Sequence, residues 1–149
     1  MLKIYDADQQ EINIDLDTMT AVDVVRTFHD GKNGGAYEFK MYLKNNNANR
    51  YYENITVQLG TNSPSFGEFN ETGWSVKCLA GESQPSEQEW DLVTSGNVLN
   101  MQDIGTTDEA NTSSYYAFWV RIYCPGNTEA QIRSTDTIRV SFNEKELGT

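Results

Sequence analysis

The sequence predicts an all-β fold, an antiparallel sandwich of about seven to nine strands with long polar loops. Three observations predict it. Apolar residues recur with period two in one segment after another. No stretch carries a convincing helical period, and clusters of Gly, Asn, Ser and Pro separate the apolar segments. A length of 149 residues suits one domain, large enough to bury roughly two-thirds of its unfolded surface. Residues 1–20 are expected to form an N-terminal arm or edge strand, and residues 21–149 the sandwich.

In EINIDLD (11–17) Ile12, Ile14 and Leu16 share one face, opposite Asn13, Asp15 and Asp17. Residues 21–28 (AVDVVRTF) read as a weaker strand. In AYEFKMYLKN (36–45) Tyr37, Phe39, Met41 and Leu43 point inward, and Glu38, Lys40, Tyr42 and Lys44 outward. NITVQLG aligns Ile55, Val57 and Leu59, and GWSVKC aligns Trp74, Val76 and Cys78. A second weak strand is expected around 90–101. YAFWVRIYC turns Phe118, Val120 and Ile122 inward and Trp119, Arg121 and Tyr123 outward, and TIRVSFN supplies Ile138, Val140 and Phe142. DGKNGG (30–35), KNNNANR (44–50) and CPGN (124–127) have turn chemistry, and residues 61–72, 80–89 and 105–114 are polar loops. Within 83–90, Ser86 followed by Glu89 has capping-box spacing and predicts a single helical turn.

Charge narrows the function. Twenty-two acids against 11 Lys and Arg leave a net of −11, which disfavours nucleic acid and anionic lipid as partners because both carry phosphate. The start of the chain lacks the uninterrupted apolar core of a signal peptide, and no window approaches the roughly 18 apolar residues of a membrane span. Synthesis in a cytoplasm is therefore expected. Cys78 and Cys124 each close a strand and could face one another across a sandwich. In a reducing compartment two buried thiols are expected rather than a disulfide. The sequons at Asn54, Asn70 and Asn111 then carry no weight.

No catalytic signature emerges. His29 is the one histidine, and beside Asp30 at a Gly/Asn turn it reads as a loop residue. Cys124 has no basic neighbour in sequence to activate it. Of the acidic pairs Asp6/Asp8, Asp15/Asp17 and Asp108/Glu109, the first sits in DADQQE, which lacks the glycine and distal glutamate of a calcium loop. The second lies on the outward face of an expected strand, where carboxylates are simply solvated. GKNGG matches no phosphate-binding fingerprint. The chain is expected to be non-enzymatic and to need no metal or cofactor. The aromatic surplus is more informative. Trp119 and Tyr123, with Arg121 between them, and Tyr42 occupy outward positions. Three readings apply: a loop or the arm folds over them, they anchor a protein interface, or they form a sugar-stacking platform.

Residues 22–143 resemble immunoglobulin-like domains of tailed-phage virion proteins. The similarity lies in LKN (43–45), YENITVQL (52–59), GW (73–74), DIG (103–105) and YAFWVRIYCPGNTEAQ (116–131), where Phe118, Trp119, Val120, Arg121, Pro125 and Gly126 occupy an aromatic-rich strand ending in a Pro-Gly turn. The resemblance carries no catalytic residue. It implies an immunoglobulin-like sandwich at the virion surface, made in the host cytoplasm. The expected role is a capsid decoration or cement protein bound to the major capsid protein or other virion proteins. A neck or tail component and a carbohydrate-binding module are the alternatives, with self-association and weak glycan binding as further expectations. Residues 1–17, with Ile12 and Ile14, are expected to act as a tether, joining Trp119, Arg121, Tyr123 and Tyr42 as the candidate interface.

Overall fold

The computed structural model describes residues 2–12, 14–15, 20–21, 32–45, 49–61, 74–105, 115–126 and 136–146. These form strands β1 (Leu2–Tyr5), β2 (Glu11–Ile12), β3 (Ile14–Asp15), β4 (Thr20–Ala21), β5 (Gly35–Asn45), β6 (Arg50–Thr61) and β7 (Ser75–Ala80), a short helix α1 (Glu87–Asp91), then β8 (Leu99–Asn100), β9 (Tyr115–Cys124) and β10 (Asp136–Glu146). They build two antiparallel sheets, ordered β2-β1-β5-β9-β7 and β3-β4-β10-β6-β8. Residues 22–28, His29, Asp17, the 106–114 loop with Asp108 and Glu109, and the sequons at Asn70 and Asn111 lie outside the described residues.

Alternation decides what is buried. The first sheet contributes Leu2, Ile4, Ile12, Met41, Leu43, Val76, Cys78, Phe118 and Val120, and the second Ile55, Val57, Leu59, Ile138 and Val140, to one continuous core. The chain is thus an all-β sandwich. From β4 onward every successive strand lies in the sheet opposite its predecessor. The long strands β5, β6, β9 and β10 therefore pair with partners distant in sequence.

Four local expectations need correction. EINIDLD is not one strand: Ile12 pairs with Ile4 in the first sheet, while Ile14 pairs with Ala21 in the second. The chain crosses between the sheets there, after a turn in which the Asp6 carboxylate accepts from the backbone of Asp8 and Gln10. Residues 90–101 are not a strand, because the Ser86–Glu89 capping box starts α1 and only Leu99–Asn100 returns to a sheet. The described strands number ten rather than seven to nine, the excess being two-residue pieces that periodicity cannot detect. Cys78 and Cys124 are buried free thiols on neighbouring strands of the same sheet, so they do not face one another across the sandwich.

A bulge also moves the parity of β6. Asn54 takes φ 52°, and the register with β10 shifts between Ser141 and Asn143. Two adjacent positions, Glu53 and Asn54, then separate the inward-facing Tyr52 and Ile55. Tyr52 packs edge-on to Phe142 at 5.2 Å. Among the described residues its hydroxyl makes no hydrogen bond of good geometry. Burial first, and then the Glu144 carboxylate across the ladder, push its pKa well above the ordinary tyrosine range.

Gly34 joins the two halves of the first sheet's end. It has φ 75°, and a Cβ there would stand 2.6 Å from Gly126 N and 2.8 Å from Cys124 O. Gly34→Ala is therefore expected to destabilise the fold by about 2 kcal/mol, through left-handed backbone strain and a backbone clash. A urea midpoint indistinguishable from wild type would contradict this.

Candidate functional site

The outer face of the first sheet carries the chemistry, and a strap spanning residues 81–98 covers half of it. On leaving β7, Gly81 N donates to Ala117 O at 3.0 Å. Glu82 then pairs with Lys40 at 2.7 Å, and its carbonyl accepts from Trp119 Nε1 at 3.4 Å. In α1, Ser86 and Glu89 satisfy each other's backbone N–H groups, and Glu87 pairs with Arg121 at 2.8 Å. Trp90 seals the contact. It is 1% exposed, its Nε1 donates to Glu38 Oε1 at 2.5 Å, and its carbonyl accepts from Lys77 Nζ at 3.1 Å. Glu38, Arg121 and Lys77 stand side by side on three strands, so a polar row of the sheet becomes the floor for a buried indole.

The strap then guards an edge. Gly96 N donates to Val76 O at 2.7 Å, and the Asn97 side chain exchanges two 2.9 Å bonds with the backbone of Cys78. Gln58 Nε2 reaches Gly96 O at 3.0 Å from the second sheet. Beyond β8, Ile104 exchanges backbone bonds with Tyr52, and Asp103 accepts from Tyr51 Oη at 2.7 Å. The DIG segment thus docks on the second sheet, and the side of the sandwich formed by β7 and β8 is bridged by chain rather than left as two open strand edges.

The other half of the face is a tyrosine–lysine platform. Register sets Tyr5 beside Tyr42, and Lys44 between Lys3 and Tyr115. Tyr42 and Tyr115 meet edge-on with centroids 6.2 Å apart. Lys44 Nζ lies 4.9 Å from the Tyr5 centroid and 5.5 Å from that of Tyr42, while Lys40 Nζ lies 5.1 Å from Tyr42. The Lys44 ammonium donates to Gln9 Oε1 in the β1–β2 turn. Lys3 bonds Glu11 at 2.6 Å. The hydrogen bonds that Lys3 and Lys40 donate to Glu11 and Glu82 raise their respective pKa values, so both remain cationic at neutral pH.

The sequence candidates scatter across this arrangement. Tyr42 is central to the platform. Trp119 and Arg121 lie beneath the strap, as the covering-loop reading anticipates, which leaves them poorly placed as exposed anchors. Tyr123 is 40% exposed and sits toward the other end of the sheet, in register with Ala36 and Ser75. Ile12 is a core residue, 6% exposed. Ile14 pairs through its backbone in β3, and its side chain lies outside the described residues. Tyr5, Lys44 and Tyr115 complete the platform and were not singled out. The alternation of LKIY at 2–5, and one more period-two step outward from Ala117 to Tyr115, are the signals that place two of them.

Among the described residues no three His, Cys, Asp or Glu side chains converge as metal ligands would, and no helix is long and apolar enough to cross a membrane. Comparisons with family models, curated proteins and solved structures find no match to the chain.

Cys78 gives the fold a pH dependence. Burial pushes its thiol up to about 12, whereas in an unfolded chain it would titrate near 8.5. The folded state therefore holds a proton that the unfolded state has lost, and stability present below pH ~8.5 falls as pH rises toward 12. The slope approaches about 1.4 kcal/mol per pH unit for one proton. Urea midpoints from pH 7 to 10.5 are expected to fall, and Cys78→Ala to flatten the decline. A profile identical in that variant would remove Cys78 as its cause.

Proposed function

We propose that the chain is a non-enzymatic structural protein of a phage virion, a capsid decoration or cement protein that binds the major capsid protein lattice. The observation that carries the reading is the platform of Tyr5, Tyr42 and Tyr115 around Lys44. It is an aromatic, laterally braced surface on the outer face of the first sheet, the kind of surface that supplies binding energy when desolvated against a protein. The resemblance of residues 22–143 to immunoglobulin-like virion domains supports the same reading, and a surface of net charge −11 keeps unassembled copies apart and off packaged DNA.

The test is co-sedimentation of purified protein with capsids assembled without it. Saturable binding that survives moderate salt, and that Tyr115→Ala weakens, is the expected result. Absence of binding to capsids, with binding to isolated neck or tail assemblies, would move the protein elsewhere on the virion. A second reading, a carbohydrate-binding module, draws on the 44% exposure of Tyr115 beside Tyr42, since tyrosine faces also stack on sugar rings. A glycan array separates the two readings.

A further inference from the structure

Among the described residues of the platform, Lys44 is the cation without a carboxylate. Lys3 is bridged to Glu11 and Lys40 to Glu82, whereas Lys44 bonds the neutral Gln9 amide and rests against the rings of Tyr5 and Tyr42. Those contacts fix the ammonium in place without neutralising it. On a chain of net charge −11 this is a fixed ammonium with no carboxylate bonded to it, set among tyrosines. We infer that the platform takes an acidic segment of the partner protein, with a Glu or Asp carboxylate seated on Lys44 and the flanking residues lying across Tyr42 and Tyr115.

Charge complementarity selects that occupant. A carboxylate in contact with Lys44 gains a direct ion pair, while acids farther off along the chain are screened over a Debye length of about 8 Å at physiological salt. A regularly charged polysaccharide would extend beyond the platform into repulsion, so a protein segment with one or two acids fits better than an acidic glycan. The ammonium is already positioned, so little side-chain ordering remains to oppose binding. The identity of the partner as a virion protein rests on the function proposed above. The chemistry of the site does not.

The experiment is an NMR titration of the whole chain with a short synthetic peptide of alternating Glu and Ser, beside the same peptide with Gln in place of Glu. Shift changes confined to the surroundings of Tyr5, Tyr42, Lys44 and Tyr115 are expected. Affinity should fall at least about tenfold with the Gln peptide or in Lys44→Met, about 1.4 kcal/mol, and should weaken as salt is raised. Thermal unfolding of Lys44→Met and Tyr115→Ala verifies that both variants fold. An equal response to the two peptides, a response elsewhere, or none at all overturns the inference. So does an oligogalacturonate that occupies the platform while the Glu peptide does not, which would assign the site to an acidic glycan. Capsid co-sedimentation separates the two ideas. Binding unaffected by Lys44→Met overturns the acidic-segment inference alone, and failure of the wild-type chain to bind capsids, with the peptide result intact, overturns the virion reading alone.

Discussion

Deleting residues 1–12 is expected to abolish cooperative folding rather than release a domain from its tether. Leu2, Ile4 and Ile12 are among the buried residues of the single core, and β1 contributes a ladder along β5 from Leu2↔Asn45 to Tyr5↔Tyr42. Removing each large aliphatic side chain costs about 2–5 kcal/mol, so the three together rival the roughly 5–15 kcal/mol that holds a domain of this size folded. The deletion also bares one side of β5, an aggregation hazard. Circular dichroism during a urea titration should show a broad, shallow transition or insoluble protein. A sharp transition near the wild-type midpoint would sink this expectation and restore the N-terminal segment as a detachable arm.

Trp90→Ala is the second large effect, expected at about 3–5 kcal/mol. The indole is 1% exposed although it comes from a five-residue helix on the outside of a sheet. Its loss opens a cavity over Glu38, Lys77 and Arg121 and leaves three polar side chains without the apolar lid above them. Leu92, two residues further on and 85% exposed, is the control, because its replacement by alanine should change stability by less than about 0.5 kcal/mol. Equal urea midpoints for the two variants would show that the strap is not anchored by Trp90.

The sandwich was legible because period-two alternation is a property of single strands. Phe118, Val120 and Ile122 against Trp119, Arg121 and Tyr123 needed no knowledge of what lies beside them. Partnership was not legible. Nothing in EINIDLD announces that the chain changes sheets between Ile12 and Ile14, because a crossing leaves the apolar spacing intact. Asn54 hid Tyr52 in a similar way: a bulge shifts parity by one, and the inward tyrosine falls out of phase with Ile55, Val57 and Leu59. The cover over Trp119 and Arg121 escaped the sequence for a different reason. Parity tells which side of a sheet a residue faces, and says nothing of whether a strap from Glu82 to Asn97 lies over it. The capping box at Ser86 and Glu89 was readable. That Trp90 would be buried by it was a tertiary fact. The platform itself joins β1, β5 and β9, and only the register of those strands brings Tyr5, Lys44 and Tyr115 together.

The alternation of successive strands between the two sheets also bears on how the chain is made. β10 lies in the middle of the second sheet, between β4 and β6, and follows all the other described strands in sequence. Until residues 136–146 are made, nothing joins β4 to β6, and the edge of β6 that pairs with β10 is open. Few hairpins of adjacent strands exist to form early, and closing loops between distant segments places such topologies at about milliseconds to seconds. The second sheet therefore stays unfinished until β10 has been made. Its acidic character helps keep that intermediate in solution until the final strand slots into place.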